Sequence, residues 1–152
     1  MYLMLGGLYQ AKWSALIHEE WINAILRKRP DLKRTQLERV RSLMDACALD
    51  SLVSDFDDIT AAIKSKAQFI ITYNLKHFPT RKLQDYHLEA LTPDDFVIKL
   101  LSANPQAVRS GMLRHRASLK HPPKTAEEYL ETLDQQRLPK TVLLIRQIID
   151  EI

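Results

Sequence analysis

The stretch Phe69-Ile-Ile-Thr-Tyr-Asn-Leu-Lys-His-Phe-Pro79 decides the predicted fold of this 152-residue chain. It begins with strand formers, and its apolar residues fall on both parities, as in a strand that is covered on both faces. The strand then opens into a polar loop. Because ligand sites in open α/β sheets lie at the carboxyl ends of parallel strands, we predict functional roles for Thr72, Asn74 and Lys76. A strand end followed by a plain asparagine turn explains the same residues.

The composition is that of an ordinary globular domain, with 45% apolar and 27% charged residues. The three glycines fit neither common phosphate-loop spacing, which excludes that class of nucleotide-binding site. Cys47 is the single cysteine, so a disulfide framework and a thiolate metal cluster are excluded. No run of 18 apolar residues is present. The opening segment lacks the features of a signal peptide, and we expect a cytoplasmic protein without membrane contact.

The net charge of +3 is unevenly distributed. No acidic residue occurs between Asp95 and Glu127, where six cations fall: Lys99, Arg109, Arg114, Arg116, Lys120 and Lys124. Such a stretch suits the phosphates of a nucleic acid, and a solvated helix face explains it equally. The predicted RNA contacts are Lys76, Arg109, Arg116 and Lys120.

The first clear helix is predicted to start with Ser14 as its N-cap and to end before Pro30. Its apolar face is predicted to comprise Ile17, Trp21, Ala24 and Ile25. On this helical wheel Glu20 lies beside the apolar face, where a carboxylate can overlook a cleft, and Glu19 points away. A solvated Glu20 is the simpler interpretation.

A second helix is predicted from the capping box Thr35-x-x-Glu38. Its apolar stripe is predicted to be Leu37, Val40, Met44 and Cys47, which makes the cysteine a small core residue. A short strand is expected within Leu49–Val53.

Three carboxylates, Asp55, Asp57 and Asp58, come between that strand and a brief helix that runs to Lys66. Adjacent carboxylates repel one another unless a cation or a helix N-terminus is near. The cluster suits a hard divalent metal ion. N-capping by Asp57 or Asp58 explains at least one of the three.

The remainder is predicted to contain one more strand and four helices. The strand is Leu88–Leu91, and the helices start at Thr92, Asn104-Pro105, Thr125-x-x-Glu128 and Pro139. His115 falls on an apolar stripe and is interpreted as a packed histidine. The alternation of strands and helices predicts an α/β protein with a small, three-stranded parallel sheet followed by a C-terminal helical layer.

Four blocks together resemble the PIN-domain family, most closely its VapC-like ribonuclease toxins of bacterial toxin–antitoxin pairs. They are Leu16-Ile-His-Glu-Glu-Trp, Arg29-Pro-Asp-Leu, the Phe69–Pro79 stretch and Leu91-Thr-Pro-Asp-Asp-Phe96. The resemblance implies a central parallel sheet, an acidic pocket for Mg²⁺ or Mn²⁺, and endonucleolytic cleavage of RNA. By position it assigns Glu20 and Asn74 to the catalytic site, with Glu20 as a metal ligand. Asp57 or Asp58 is expected to substitute for the carboxylate of the family's aspartate-rich loop as a catalytic residue and metal ligand, or that carboxylate is missing. His77 stands where relatives often carry aspartate.

Two departures from the family pattern are evident. The family opens with a strand that ends in an aspartate, and Met1 falls beyond it, so the first strand is expected to be missing. The segment before the Phe69 strand is also too short for the family's full aspartate-rich loop. We therefore predict a shortened PIN-like domain over residues 1–103, with a C-terminal helical extension over residues 104–152 packed on it.

Two functions follow as hypotheses. The first is a metal-dependent ribonuclease, or a shortened derivative of one, with an antitoxin-like partner. The second is a catalytically inactive module that forms a homo-oligomer or binds a partner chain through an exposed sheet edge.

Overall fold

The computed structural model describes residues 2–47, 52–53 and 58–147. Contacts divide the chain into two compact units. The first unit comprises Met1–Tyr9 and Phe69–Ile152, and the second comprises Gln10–Gln68. The domain boundary expected after residue 103 stays a prediction.

The described residues contain helices and strands in this order: α1 (Tyr2–Leu5), β1 (Trp13–Ser14), α2 (Ala15–Lys28), α3 (Arg34–Cys47), β2 (Leu52–Val53), α4 (Asp58–Lys64), β3 (Phe69–Ile71), α5 (Thr80–Leu83), β4 (Glu89–Leu91), α6 (Pro93–Ala103), α7 (Pro105–Ser118), α8 (Ala126–Gln135) and α9 (Pro139–Ile145). Short 3₁₀ turns at Leu75–His77 and Gln84–Tyr86 flank α5.

The strands form two parallel pairs, β1 with β2 and β3 with β4. The predicted α/β class, with a small parallel sheet flanked by helices, is confirmed. The expectation of one three-stranded sheet is wrong for the described residues, because β1 was missed. Its residue Ser14 ends the strand opposite Val53 and also caps α2, accepting a hydrogen bond from the Ile17 amide at 3.2 Å.

Helix α3 begins at Arg34, two residues earlier than a capping box with Thr35 as N-cap allows. Thr35 lies within the helix, and the Gln36 side chain accepts the Lys33 amide hydrogen bond at 2.8 Å instead. Glu38 pairs with Arg34 at 3.0 Å. The predicted capping box was therefore wrong, because Glu38 binds a neighbouring cation.

The predicted apolar stripe of α3 is only partly buried. Leu37 is buried, whereas Val40 is 45% exposed and Cys47 is exposed. Cys47 is therefore not the core residue that its spacing predicted. The strand expected before residue 54 is confirmed at Leu52–Val53, and residues 48–51 lie outside the described part of the chain.

In the first unit, β3 and β4 pair in the register Phe69↔Glu89 to Ile71↔Leu91. Ile71 is 42% exposed, so the prediction of a strand covered on both faces is wrong at this residue. The helix starts were predicted well. Thr92 caps α6, Asn104 caps α7, and Thr125 with Glu128 forms the predicted capping box of α8.

The core of the first unit lies between α6, α7, α8 and α9. Its buried members are Phe96, Leu100, Val108, Met112, Tyr129, Leu130, Leu133, Val142 and Ile145. Short α1 packs on α7, where Leu3 approaches Gly111 so closely that an added Cβ would lie 2.6 Å from Leu3 Cδ2. None of the described helices is long and apolar enough to cross a membrane.

Asp94 joins α6 to α9. This buried carboxylate (5% exposed) accepts hydrogen bonds from the amides of Lys140 and Thr141, both at 2.9 Å, and from the Thr141 hydroxyl at 2.7 Å. The residue preceding α9 is Leu138, which has no polar side chain to cap the helix. Asp94 therefore satisfies the first amides of α9 from another helix.

Candidate functional site

Glu20 lies on the exposed face of α2. The buried face of this helix is centred on His18 and Ile22, both 0% exposed, whereas Ile17 is 38% exposed. At 100° per residue, Glu20 is about 200° away from His18. The prediction that Glu20 borders the apolar face was therefore wrong, since the helix turns His18 inward instead of Ile17.

The neighbouring carboxylate, Glu19, is half-buried and forms an ion pair with Arg34. The Arg34 guanidinium donates to Glu19 Oε2 at 2.5 Å, and this hydrogen bond holds the pKa of Glu19 below its usual range. Glu20 instead lines a surface depression of about 840 Å³ together with Asn23, Ala24, Leu26 and Arg27. Of the two acids, Glu20 is the one whose described surroundings leave it open to a ligand.

The predicted aspartates belong to the same unit as Glu20. Asp57 lies outside the described residues, and Asp58 is described only as the first residue of α4. The parallel register Trp13↔Leu52 and Ser14↔Val53 directs the carboxyl ends of β1 and β2 to one edge of their sheet. Helix α2 follows β1 directly, so α2 starts at that edge.

Asn74 lies in the exposed turn that follows β3, in the first unit. Its amide donates to Thr72 Oγ1 at 3.0 Å, and its side-chain nitrogen is 3.1 Å from His77 Nδ1. The predicted polar turn after the strand is confirmed. Glu20 and Asn74 belong to different units, and the catalytic site that joins them stays a prediction.

The predicted carboxylate site is expected to hold Mg²⁺ or Mn²⁺. Within residues 2–47, 52–53 and 58–147, no group of three His, Cys, Asp or Glu side chains lies close enough together to hold a metal ion. Hard cations of this kind need several oxygen ligands. The described residues alone therefore do not fit the ion, and the segment that includes Asp57 is essential to the predicted site.

A buried polar cluster that the sequence did not reveal lies between α2 and α3. His18 Nε2 is 3.0 Å from Asp45 Oδ1, which also accepts from Trp13 Nε1 at 2.7 Å. Trp21 Nε1 donates to His18 Nδ1 at 3.0 Å. Because Nδ1 accepts a hydrogen bond, the proton of the neutral imidazole is on Nε2 and points to Asp45.

This cluster links α2 to α3 through buried His18 and half-buried Asp45. Burial raises the pKa of the Asp45 carboxyl, but the hydrogen bonds from Trp13 and His18 outweigh burial and bring the pKa below its usual value. Both ring nitrogens of His18 are occupied, and the residue is 0% exposed. His18 therefore acts as a packed, hydrogen-bonded core residue.

The four predicted RNA-binding cations all belong to the first unit. Lys76 and Lys120 are exposed, and Arg109 and Arg116 are half-buried. The two arginines are seven residues apart on α7 and share one face, beside the buried stripe that contains Val108. Their contact with RNA stays a prediction.

Predicted as a packed histidine, His115 is confirmed in that role. Its Nδ1 lies 3.0 Å from the hydroxyl of buried Tyr129, and the two rings meet edge to face. Burial, with a small opposing effect of Arg116, raises the pKa of Tyr129 to about 12. Burial lowers the pKa of His115.

Tyr73, which the sequence analysis left without a role, is held at the carboxyl end of β3. Its hydroxyl donates to the Gln136 carbonyl oxygen at 3.1 Å, and the Arg137 guanidinium lies 5.5 Å from the ring centroid. The side chain is nevertheless 52% exposed. In the sequence, the position of an aromatic residue between Thr72 and Asn74 is the signal that could have identified Tyr73 as a candidate functional residue.

These features define an α/β protein of short parallel strand pairs with a helical C-terminal part. Residues 93–147, which include α6 to α9, match the family model of the VapC50 C-terminal domain. A protein of Mycobacterium tuberculosis (strain ATCC 25618 / H37Rv) named "Putative ribonuclease VapC50" is 34% identical over 89 residues. The aligned part is 59% of this chain and 53% of the relative, so the chain spans about half of the relative's length. No solved structure matches the chain.

Proposed function

We propose that this chain is a VapC-like, PIN-type endoribonuclease that depends on Mg²⁺ or Mn²⁺, or a shortened derivative of one. The observation that carries the proposal is the 34% identity over 89 residues to a protein named as a ribonuclease. The match of residues 93–147 to the VapC50 C-terminal domain supports the same relationship.

The proposed catalytic residues are Glu20, Asp57 or Asp58, and Asn74. The parallel pairing of β1 and β2 supports the first two, because α2 and the Asp57–Asp58 segment both follow the carboxyl ends of paired strands. Glu20 and the aspartates would hold the cation, and Asn74 would orient water or a phosphate oxygen. A divalent ion in such a site activates water and stabilises the charge of a phosphodiester transition state.

The proposed RNA contacts are Lys76, Arg109, Arg116 and Lys120. The sequence from residue 96 to residue 126 supports this, since it contains cations and no acidic residue, a composition that suits a phosphate backbone. The proposal extends to a cytoplasmic location and to an antitoxin protein as partner, as for the toxin class that the sequence resembles.

Cleavage of a mixture of 5′-labelled single-stranded RNA oligonucleotides, with Mn²⁺ or with EDTA, tests the enzyme proposal. The wild-type chain should cleave only with the cation. Asp57→Asn/Asp58→Asn should abolish cleavage. Glu20→Gln should reduce it at least about 100-fold, the upper end of the loss seen when a residue that only supports a metal ligand is replaced.

Glu19→Gln is the matched control. It removes a carboxylate from the neighbouring position of α2, but that carboxylate is bound to Arg34. Its cleavage rate should stay within about twofold of wild type. Cleavage that survives the double aspartate substitution would show that the site is assigned to the wrong residues.

A second candidate is a catalytically inactive interaction module. Two observations favour it: the described residues do not by themselves form a metal cluster, and among the described strands β3 pairs only with β4, along one of its edges. An exposed strand can pair with a second copy or with a partner chain. Sedimentation velocity at micromolar concentration should then give a dimer, and a stable monomer at every concentration would contradict this candidate.

A further inference from the structure

An exposed aromatic ring is fixed in place at the carboxyl end of β3. Tyr73 is 52% exposed, yet its hydroxyl is anchored by the carbonyl oxygen of Gln136. The residue is neither part of the hydrophobic core cluster of the first unit nor among the half-buried side chains packed against that cluster. Its position is therefore set by polar contacts, and much of the ring surface remains in solvent.

A cation lies over the same ring. The guanidinium carbon of Arg137 is 5.5 Å from the Tyr73 centroid, within the range of a cation–π contact. Arg137 has φ = +65°, in the left-handed region that residues other than glycine seldom adopt. Its amide donates to the Asp134 carbonyl oxygen at 2.8 Å, which fixes this turn after α8. The turn thus presents the guanidinium to the tyrosine.

The sequence around the ring is free of acids. No Asp or Glu occurs from residue 59 to residue 84, and the cations that follow Tyr73 are Lys76, Arg81 and Lys82. All three are exposed, as is Arg137. An exposed aromatic ring on a segment without acidic residues, among exposed cations, complements a polyanion that has flat, stackable groups. In the second segment, which carries the arginine, Asp134 lies three residues before Arg137.

We propose that Tyr73 and Arg137 form a stacking site for a nucleobase of single-stranded RNA, with Lys76 next to it on the phosphate backbone. Every base has a π-face, so such a site accepts many sequences but needs an unpaired base. A base inside a duplex cannot reach the ring. The site rests on the proposed function, because it assumes RNA as the substrate, and it names the two residues that would hold an unpaired base.

Fluorescence anisotropy with labelled single-stranded and duplex RNA of the same sequence, in EDTA, tests the site without cleavage. Wild type should bind the single strand at least about tenfold more tightly than the duplex. Tyr73→Ala should weaken single-strand binding about tenfold, which is within the range for loss of one base–aromatic stack. Tyr73→Phe keeps the ring and should stay within about threefold of wild type.

Tyr86→Ala is the matched control, because Tyr86 is a tyrosine of the same unit with nearly equal exposure, 53%. It should bind RNA like wild type. If far-UV circular dichroism shows that Tyr73→Ala does not fold, Arg137→Gln replaces it and should weaken single-strand binding at least about threefold. Equal binding by wild type and Tyr73→Ala, equal binding of duplex and single strand, or no binding by wild type would each overturn the stacking site.

The outcomes also separate this site from the nuclease proposal. Ring-dependent binding without cleavage in Mn²⁺ would leave the stacking site standing and refute the nuclease. Cleavage that is unchanged by Tyr73→Ala at low substrate concentration would support the nuclease and refute the stacking site. Ring-dependent capture of a protein without any RNA binding would show that the ring serves a protein partner, which also overturns the proposal.

Discussion

Asp94→Ala removes the carboxylate through which α6 caps the N-terminus of α9. In the structure this side chain is 5% exposed and accepts three hydrogen bonds, two from the Lys140 and Thr141 amides and one from the Thr141 hydroxyl. Thr141 is itself 0% exposed, so water cannot replace the lost acceptor without rearrangement.

The expected loss follows from these contacts. Removing an N-cap acceptor costs about 1 kcal/mol. Leaving the buried amide and hydroxyl of Thr141 without a partner adds about 1–3 kcal/mol for each. We expect Asp94→Ala to lower the free energy of unfolding of the first unit by about 3–7 kcal/mol. Asp94→Asn, which keeps one carbonyl oxygen, should cost about half as much.

Guanidinium unfolding followed by far-UV circular dichroism measures this loss, and hydrogen exchange of the α9 amides locates it. Trp13 and Trp21 both lie in the second unit, so their fluorescence follows that unit separately. Lys140→Gln is the control. It breaks the exposed contact between Lys140 Nζ and Asp95 Oδ1 but keeps the capped backbone amide.

The control should change the unfolding free energy by less than about 1 kcal/mol, as is usual for exposed ion pairs. An Asp94→Ala protein that is as stable as the Lys140→Gln protein, with unchanged exchange of the α9 amides, would refute the cap as the link between α6 and α9.

Three further predictions concern other parts of the molecule. The lowered pKa of Asp45 predicts stability that is complete above the unfolded value of about 3.9 and is lost as the pH falls through the folded value. Asp45→Asn should therefore reduce the loss of stability at acid pH, measured by tryptophan fluorescence as unfolding free energy against pH. An unchanged loss at acid pH would contradict this. Gly111→Ala should change the free energy of unfolding by less than about 1 kcal/mol, because the helix-propensity gain of about 1 kcal/mol is offset by a rotamer change of Leu3. In a Leu3→Ala background the same substitution should raise the stability measured by calorimetry by about 1 kcal/mol, since no rotamer change is then needed. Thr125→Ala should cost about 1 kcal/mol by removing the α8 capping box, and no shift in the melting temperature would contradict that role.

Helix starts could be predicted because their signals are local. Thr92, Asn104 and Thr125 each accept a hydrogen bond from an amide three residues ahead, so the residues that define the cap are contiguous in sequence. The same holds for the polar turn after β3, where Asn74 binds the side chain of Thr72.

Features that depend on distant partners were missed or assigned wrongly. Strand β1 exists because Trp13 pairs with Leu52, and two residues are too few for a strand pattern. His18 can lie on the buried face of α2 because Asp45 of α3 forms a hydrogen bond with its ring nitrogen. A polar residue is therefore buried where the hydrophobic pattern predicted Ile17. Hydrophobic periodicity alone contains neither piece of information.

The candidate site also combines local features, which could be predicted, with features that depend on distant partners, which could not. Its parts within one segment could be predicted, as the exposed turn at Asn74 shows. Its assembly from Glu20, Asp57 or Asp58, and Asn74 depends on how separate segments meet, which local patterns do not encode. The carboxylate assignment comes from the family resemblance and stays a prediction.

Isothermal titration of the full chain with Mn²⁺, repeated with Mg²⁺, tests the central proposal most directly. The account predicts saturable binding that is lost in Asp57→Asn/Asp58→Asn and in Glu20→Gln but kept in Glu19→Gln. Binding that is absent in wild type, or that is unchanged by the aspartate substitutions, would contradict it.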